Sequence, residues 1–337
     1  MAAGIRPTTI HGPRSASGSV SPRVLAVPAL LIGLTACAAH PRMLALADGN
    51  RPGRCRSVSS DSPIRVTWIL PDEVEQRARL DLACAGTGPV VVQAARRGAA
   101  PAGNDGAPLV TVSWNTYLGR GDLAELVDRL ARGAFTDGAR VERFALLLQE
   151  VYREPILAFA RQRSLHAVFA PVRRREGEAE DRGAAILATS PLEAITVVEL
   201  PFEKQRRIAL GANVDGLHLV NVHFDTSVGV FRGGPGAVRR RQARALMEAL
   251  AGLPPPVLIA GDLNTWWGDD EPAVKELRRA FPAAKPARAR ETWRGPLRSG
   301  NKLDYVFANG LEPPIAVTRL DERFGSDHWP LLAVVPR

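Results

Sequence analysis

The chain has 337 residues, of which 45% are hydrophobic and 23% charged. That balance excludes a disordered or fibrous chain and suffices for one large domain with extras, or two domains. Lysine and arginine number 44 against 35 acidic residues, a net charge of +9. Such a balance favours anionic partners such as nucleic acid, phospholipid or phosphorylated solutes. Arginine-rich, alanine-rich chains also arise from GC-rich genomes, so charge alone selects none of these.

Residues 1–22 are polar, rich in Ser, Pro and Gly, and carry no acidic residue. Arg23 then precedes VLAVPALLIGLTAC, an apolar stretch too short to span a bilayer. Residues 1–36 thus have the layout of a secretory signal peptide. Leu34-Thr35-Ala36-Cys37 resembles the lipobox of bacterial lipoproteins, in which the cysteine is lipidated and becomes the mature N-terminus. The resemblance implies an exported protein anchored to a membrane through Cys37, on the periplasmic or extracellular side. An ordinary cleaved signal with a chance cysteine is the alternative. The polar segment is long for such a signal, which allows a true start downstream of Met1. Residues 37–54, with Pro41 and Pro52, have the composition of a tether. In an exported protein the remaining cysteines, Cys55 and Cys84, are expected to form a structural disulfide. Two isolated thiols with no nearby histidine do not make a zinc site.

Within residues 55–98, IRVTWIL, RARLDLAC and PVVVQA show strand-like alternation between turn segments. They predict a small β-rich extension stapled by the disulfide, with nothing catalytic in it. Arg96–Pro108 (RRGAAPAGNDGAP) is a linker by composition. From Leu109 to Arg337, strands alternate with amphipathic helices. LVTVSWN, FALLLQEV, HAVFAPV, AAILAT, ITVVEL, IALGANV, LHLVNVHF, VLIAGDLN, LDYVFANG and PLLAVVP are strands. DLAELVDRLARGA, ILAFARQRS and AVRRRQARALMEALAGL are helices, the first beginning at Asp122 and the last stopped by Gly252 and Pro254. So many strands with few helices predict an α/β protein of two packed sheets covered by helices, not one doubly wound sheet. There is no internal repeat at a fixed short period, and no heptad or broad apolar helix face argues against a monomer.

The chemistry gathers around Val257–Thr265, VLIAGDLNT. A buried apolar run there ends in Asp262 and Asn264, two residues apart, at the strand end where α/β proteins place their chemistry. A D-x-N of this kind is also a common turn or cap. Its weight comes from the other apolar runs that end alike. Asn115 follows LVTVSW, Gln149-Glu150 follow FALLL, and Asn221 and His223 end LHLVNVH. Asp304 lies in KLDYVF, and Ser326-Asp327-His328 precede WPLLAVV. Solubility does not explain so many polar strand ends, and they predict one shared site.

In this order, WN, LQEV, DRGAAILATSPL, VNVHFD, AGDLNT, LDYVF and GSDHWPL resemble the endonuclease/exonuclease/phosphatase superfamily from about Leu109 to Arg337. That superfamily includes pancreatic-type deoxyribonucleases, abasic-site endonucleases, bacterial sphingomyelinases and inositol-polyphosphate 5-phosphatases. The resemblance implies a four-layer α/β/β/α sandwich and metal-assisted phosphoester hydrolysis at one edge of the paired sheets. It implies Glu150 as the main ligand of one Mg²⁺ or Mn²⁺ ion, with Asn115 beside it and Asp327 as a further ligand. Asp262 would orient or deprotonate water and Asn264 would hold a phosphate oxygen. His328, oriented by Asp304, would donate to the phosphate, and His223 matches a second phosphate-facing histidine. Its partner could be Glu178, Glu180 or Asp181. Tyr117 stands where many members carry Asp, which favours a single ion. His166 and His218, within strands, are expected to be structural.

The substrate stays open at this level. Arg173-Arg174-Arg175, Arg206-Arg207 and Arg239-Arg240-Arg241 could track a nucleic-acid backbone, with Arg182 and Arg207 as contacts, although the last cluster fits a solvated helix face equally well. Trp266-Trp267 could stack on a base, dip into a membrane interface or pack on a neighbouring loop. Nucleic acid is the favoured substrate, partly because no long hydrophobic hairpin of the secreted-sphingomyelinase kind is evident. A phospholipid head group is the alternative, and a non-catalytic binding module the remaining one. An exported enzyme does not meet chromosomal abasic sites.

Overall fold

The computed structural model describes residues 43–46, 54–61, 63–95, 106–175, 177–227, 234, 236–288, 291–295 and 300–336. The leader at 1–36, Cys37, most of the tether and residues 96–105 of the linker lie outside the described residues.

Strands β1 (Met43–Leu46), β2 (Val58–Ser60), β3 (Val66–Pro71) and β4 (Val90–Gln93) come first in the chain. The longer apolar runs follow as β5 (Leu109–Asn115), β6 (Phe144–Tyr152), β7 (His166–Arg173) and β8 (Arg182–Ala188). They continue as β9 (Glu193–Leu200), β10 (Arg207–Val214), β11 (Leu217–His223) and β12 (Val257–Asp262). Short β13 (Ala284–Lys285), β14 (Trp293–Arg294) and β15 (Gly300–Asn301) precede β16 (Asp304–Asn309), β17 (Ile315–Arg319) and β18 (Leu331–Val335). The helices are α1 (Val74–Cys84), α2 (Leu123–Ala131), α3 (Arg153–Gln162), α4 (Ala237–Leu250) and α5 (Pro272–Ala280). Asp122 caps α2 by accepting the Glu125 amide at 2.9 Å. The sequence reading omits α5, a short helix with Pro272 in its first turn and Val274 and Leu277 buried.

A seven-stranded sheet runs β1-β3-β9-β10-β11-β12-β16, and a nine-stranded sheet runs β13-β17-β18-β5-β6-β8-β7-β4-β2. Their central strands, such as β5, β8 and β12, are largely apolar because both faces are buried. In β6, Ala145 and Leu147 face the other sheet. Phe144, Leu146 and Leu148 face α2 and α3. In β12, Leu258 and Ala260 enter the layer between the sheets, while Val257 and Ile259 pack under α4 and α5. These three apolar layers make the four-layer α/β/β/α sandwich.

The 55–98 segment is not a separate β unit. β3 pairs in parallel with β9, and β4 pairs antiparallel with β7, so the segment extends both sheets of the sandwich. Part of the expected tether also belongs to the fold, because β1 pairs with β3. RARLDLAC is helical rather than extended. Its alternation is coincidental, and the decisive pattern is Gln76, Leu80 and Cys84, a buried stripe at four-residue spacing. Leu80 and Cys84 join the core between the sheets, and the Cys55–Cys84 disulfide is fully buried with them.

The bridge closes a loop with a sequence separation of 29. Replacing both cysteines by serine is expected to lower unfolding free energy by about 3–4 kcal/mol. Urea denaturation of the double variant would check this, and an unchanged midpoint would contradict it.

Candidate active site

Strand register brings the polar strand ends to one level. Asn115 of β5 lies opposite Gln149 of β6. His223 of β11 lies opposite Asp262 of β12, and Asp262 opposite Asp304 of β16. The first pair belongs to one sheet and the other three residues to its partner, and a bond crosses between them. Asn115 Nδ2 donates to Asp262 Oδ2 at 3.0 Å. Gly261 lets β11 and β12 lie close beside one another at this level, since a Cβ there would lie 1.8 Å from the Val222 carbonyl oxygen.

Glu150 reaches the same level through an irregularity. The β6–β8 ladder shifts between Leu148 and Val151, and Glu150 has φ of +60°. The bulge turns Gln149 into the core and Glu150 into the cleft. Asn264 also has positive φ, +49°. It therefore lies past the extended segment, with its amide nitrogen on Asp262 Oδ1 at 2.8 Å and its Nδ2 donating to Phe224 O at 3.0 Å.

The floor is electrostatically polarised. Burial pushes the Asp262 carboxyl up to about 7, against the opposing charge of His328. Burial also disfavours the charged form of His328, but Asp304 and Asp262 overcome it and raise the imidazole to about 9. Asp304 Oδ2 meets His328 Nδ1 at 2.8 Å, which leaves Nε2 toward Asp262 Oδ2, 3.8 Å away. His223 is the opposite case. Burial and the charge of Arg207 hold it well below its ordinary value, so it is neutral beside Asp262 Oδ2 at 3.6 Å.

These groups open on a cleft of about 720 Å³ lined by Asn115, Glu150, His223, Asp262, Asn264, Asp327 and His328. Arg182, Arg207 and Trp266 line it too, whereas Asp304 supports His328 from behind. The donor set suits a hard divalent cation. Asp327 Oδ1 is buried without a hydrogen-bond partner among the described residues, while Oδ2 accepts the Trp293 indole at 2.9 Å. Glu150 Oε2 accepts only a long bond from the Leu118 amide, 3.3 Å. Asn115 Oδ1 accepts the Tyr117 amide at 3.0 Å and keeps a second lone pair. Glu150, Asp327 and Asn115 could together hold such an ion.

Other expectations change. None of the three carboxylates named as partners serves His223. Asp181 is held by Arg153 and Arg174, Glu178 accepts the Arg175 amide, and Glu180 accepts the Glu154 amide. Asn221 stays in the core, donating to the Leu148 and Ala185 carbonyls. Arg206 forms a buried pair with Glu199. Arg239, Arg240 and Arg241 pair with Glu271, Glu276 and Glu203. Arg173, Gln205 and Trp293 line the cleft without having been singled out individually. Arg173 ends a strand, as Asn115 does, and opens the Arg173-Arg174-Arg175 run named above as a nucleic-acid contact.

The model of the endonuclease/exonuclease/phosphatase family matches residues 112–328, more than half of the chain. The chain belongs to the endonuclease/exonuclease/phosphatase family. Members of this family are phosphoester hydrolases and typically depend on a divalent metal. No curated protein matches the sequence. Among solved structures, sphingomyelinase C from Streptomyces griseocarneus is similar at 20% identity, covering 68% of this chain and 99% of that one, with a TM-score of 0.48. The endonuclease/exonuclease/phosphatase from Beutenbergia cavernae is similar at 18% identity, covering 68% and 72%, with a TM-score of 0.49.

Asp304→Asn should lower the His328 pKa from about 9 toward its ordinary value, because the imidazolium loses its nearest countercharge. An NMR titration of the His328 ring protons would measure it. An unmoved value would mean that Asp262 alone holds the proton.

Proposed function

We propose that this protein is a divalent-metal-dependent phosphodiesterase that cleaves nucleic acid. The observation that carries the reading is the meeting of Asn115, Asp262, His223 and the Asp304–His328 pair beneath one cleft. A single Mg²⁺ or Mn²⁺ ion, when bound, would neutralise phosphate charge and polarise the phosphorus–oxygen bonds. The chain's own residues supply the rest. Asp262, held by Asn115 and the Asn264 backbone amide, orients a water molecule and takes its proton as the oxygen attacks phosphorus. The bond from phosphorus to the departing ester oxygen breaks, and that oxygen takes a proton from solvent. His328, its Nδ1 fixed by Asp304, donates from Nε2 to a phosphate oxygen as charge accumulates there. Neutral His223 donates to a second oxygen. The remaining N–H of the Asn264 amide can do the same.

Nucleic acid is favoured by the walls. Arg173, Arg175, Arg182 and Arg207 line the cleft, matching a polyanionic backbone. Trp266, 52% exposed, stands at its edge where an unpaired base could stack. A lipid phosphodiesterase is the second reading, supported by Trp266 and Trp267 standing exposed side by side. In either case we place the protein outside the cytoplasm, as a monomer anchored through a lipid on Cys37.

Supercoiled plasmid and vesicles of sphingomyelin or phosphatidylinositol, each in Mg²⁺ or EDTA, separate the readings. Mg²⁺-dependent nicking that falls about 10²–10⁴-fold in His328→Ala and Asp262→Asn is expected. Head-group release without nicking would select the lipid reading, and no turnover at all would leave a binding module. The pH dependence has a definite sign. Activity needs Asp262 ionised and His328 protonated, so kcat/KM should rise with pH through about 7 and fall through about 9. A bound cation moves the acid limb lower. A rate that keeps rising above the alkaline limit would exclude His328 as the donor.

A further inference from the structure

Buried arginines in this protein are generally paired, as in Arg206–Glu199 and Arg239–Glu271. Arg207 departs from that pattern. It is only 5% exposed, its Nε is buried without a partner, and no hydrogen bond or ion pair joins its guanidinium to any described residue. Two more arginines stand beside it. Arg173 donates from Nη1 to Gln205 Oε1 at 2.8 Å, and its Nε is buried without a partner among the described residues. Arg182 is 8% exposed, and its contact with a carboxylate is Glu150 Oε2 at 3.8 Å, beyond hydrogen-bond range.

The three guanidiniums oppose one another. Burial pushes Arg207 down to about 10, although the charges of Asp225, Asp262 and Glu150 act against it from beyond hydrogen-bond range. Burial, then the charges of Arg182 and Arg175, push Arg173 down. A guanidinium taken out of water with no carboxylate hydrogen-bonded to it is destabilising unless another group supplies those bonds. Glu150 is the carboxylate assigned to the metal, so its charge does not belong to the arginines alone.

Together they line a recess of about 30 Å³ beside Glu150 and His223. It has room for about two water-sized groups and no more. A nucleoside does not fit, so a chain cannot run through it, whereas two oxygens of one phosphoryl group can enter while the third stays in the cleft. Arginine forks match phosphoryl oxygens in pairs, and three positive charges suit a dianion better than the single charge of a diester.

We propose that Arg173, Arg182 and Arg207 form an anion site that receives a terminal phosphomonoester of the nucleic-acid substrate while the neighbouring diester is cleaved. This rests on the reading of the cleft as a nucleic-acid phosphodiesterase, and it adds a preference for phosphorylated ends to the internal nicking expected of that cleft. A free 5′-phosphate and a free 3′-phosphate offer the same chemistry.

The test compares three single-stranded oligonucleotides of one sequence, bearing a 5′-phosphate, a 3′-phosphate or neither, with the full chain and its Arg207→Gln and Arg207→Lys variants. One phosphorylated end should raise kcat/KM at least about tenfold over the unphosphorylated strand. That ratio should fall toward one in Arg207→Gln and be partly kept in Arg207→Lys, with thermal unfolding used to show that both variants fold. Equal rates on all three strands in the unmodified protein would overturn the proposal, and so would a ratio unchanged in Arg207→Gln. Calorimetry with inorganic phosphate in EDTA reads the recess without turnover. If no oligonucleotide is cleaved, the nuclease reading fails, and phosphate binding lost in Arg207→Gln would still sustain the anion site. No phosphate binding in the unmodified protein would overturn it.

Discussion

Asn221, fully buried on the seven-stranded sheet, donates to two carbonyls of the opposite sheet and accepts Gln149 Nε2 at 2.7 Å. These amides have no water to turn to, so their bonds hold only if the two sheets meet at one depth and one angle. The site depends on that constraint. Its ligands come from both sheets, and the Asn115–Asp262 bond spans the same gap. A slip of one residue in either ladder would reverse which side chains face the cleft.

Burial then does different things to neighbouring groups. Asp262 and His328 lie close together, yet the carboxyl is raised to about 7 and the imidazole to about 9. Burial, with a smaller contribution from the charge of Asp304, raises the carboxyl, whereas Asp304 and Asp262 together outweigh burial at the imidazole. His223, with Arg207 beside it, is driven neutral. One buried floor thus holds a base, an acid and a neutral donor, and their protonation states follow from which charge stands behind each. The arginines divide in the same manner. Those of α4 and Arg206 are ion-paired, while Arg173, Arg182 and Arg207 are left facing the cleft. Net charge does not distinguish these two populations.

Much of this was legible in residues 109–337, because strands buried on both faces are written as continuous apolar runs and end at recognisable polar residues. Asn115, Glu150, His223, Asp262, Asn264, Asp327 and His328 were each visible as such an ending, and all of them line the cleft. Asn221 had the same appearance and went to the core instead, since alternation along β11 turns it toward the other sheet. The 55–98 segment misled for a related reason. Over eight residues a helical stripe and an alternating strand can share the same apolar positions, and only the packing of Leu80 and Cys84 between the sheets separates them.

The sequence by itself determined the layered α/β class, the pairing of Cys55 with Cys84 and the residue types of the site, because burial and redox chemistry act on side chains wherever they lie. The tertiary structure decided what depends on distance. It set Glu150 into the cleft through a bulge, left His223 without the carboxylate expected for it, and gathered three arginines from β7, β8 and β10 around one small recess. Charges act through space and not along the chain, so which of them are neutralised is settled only once the strands are side by side.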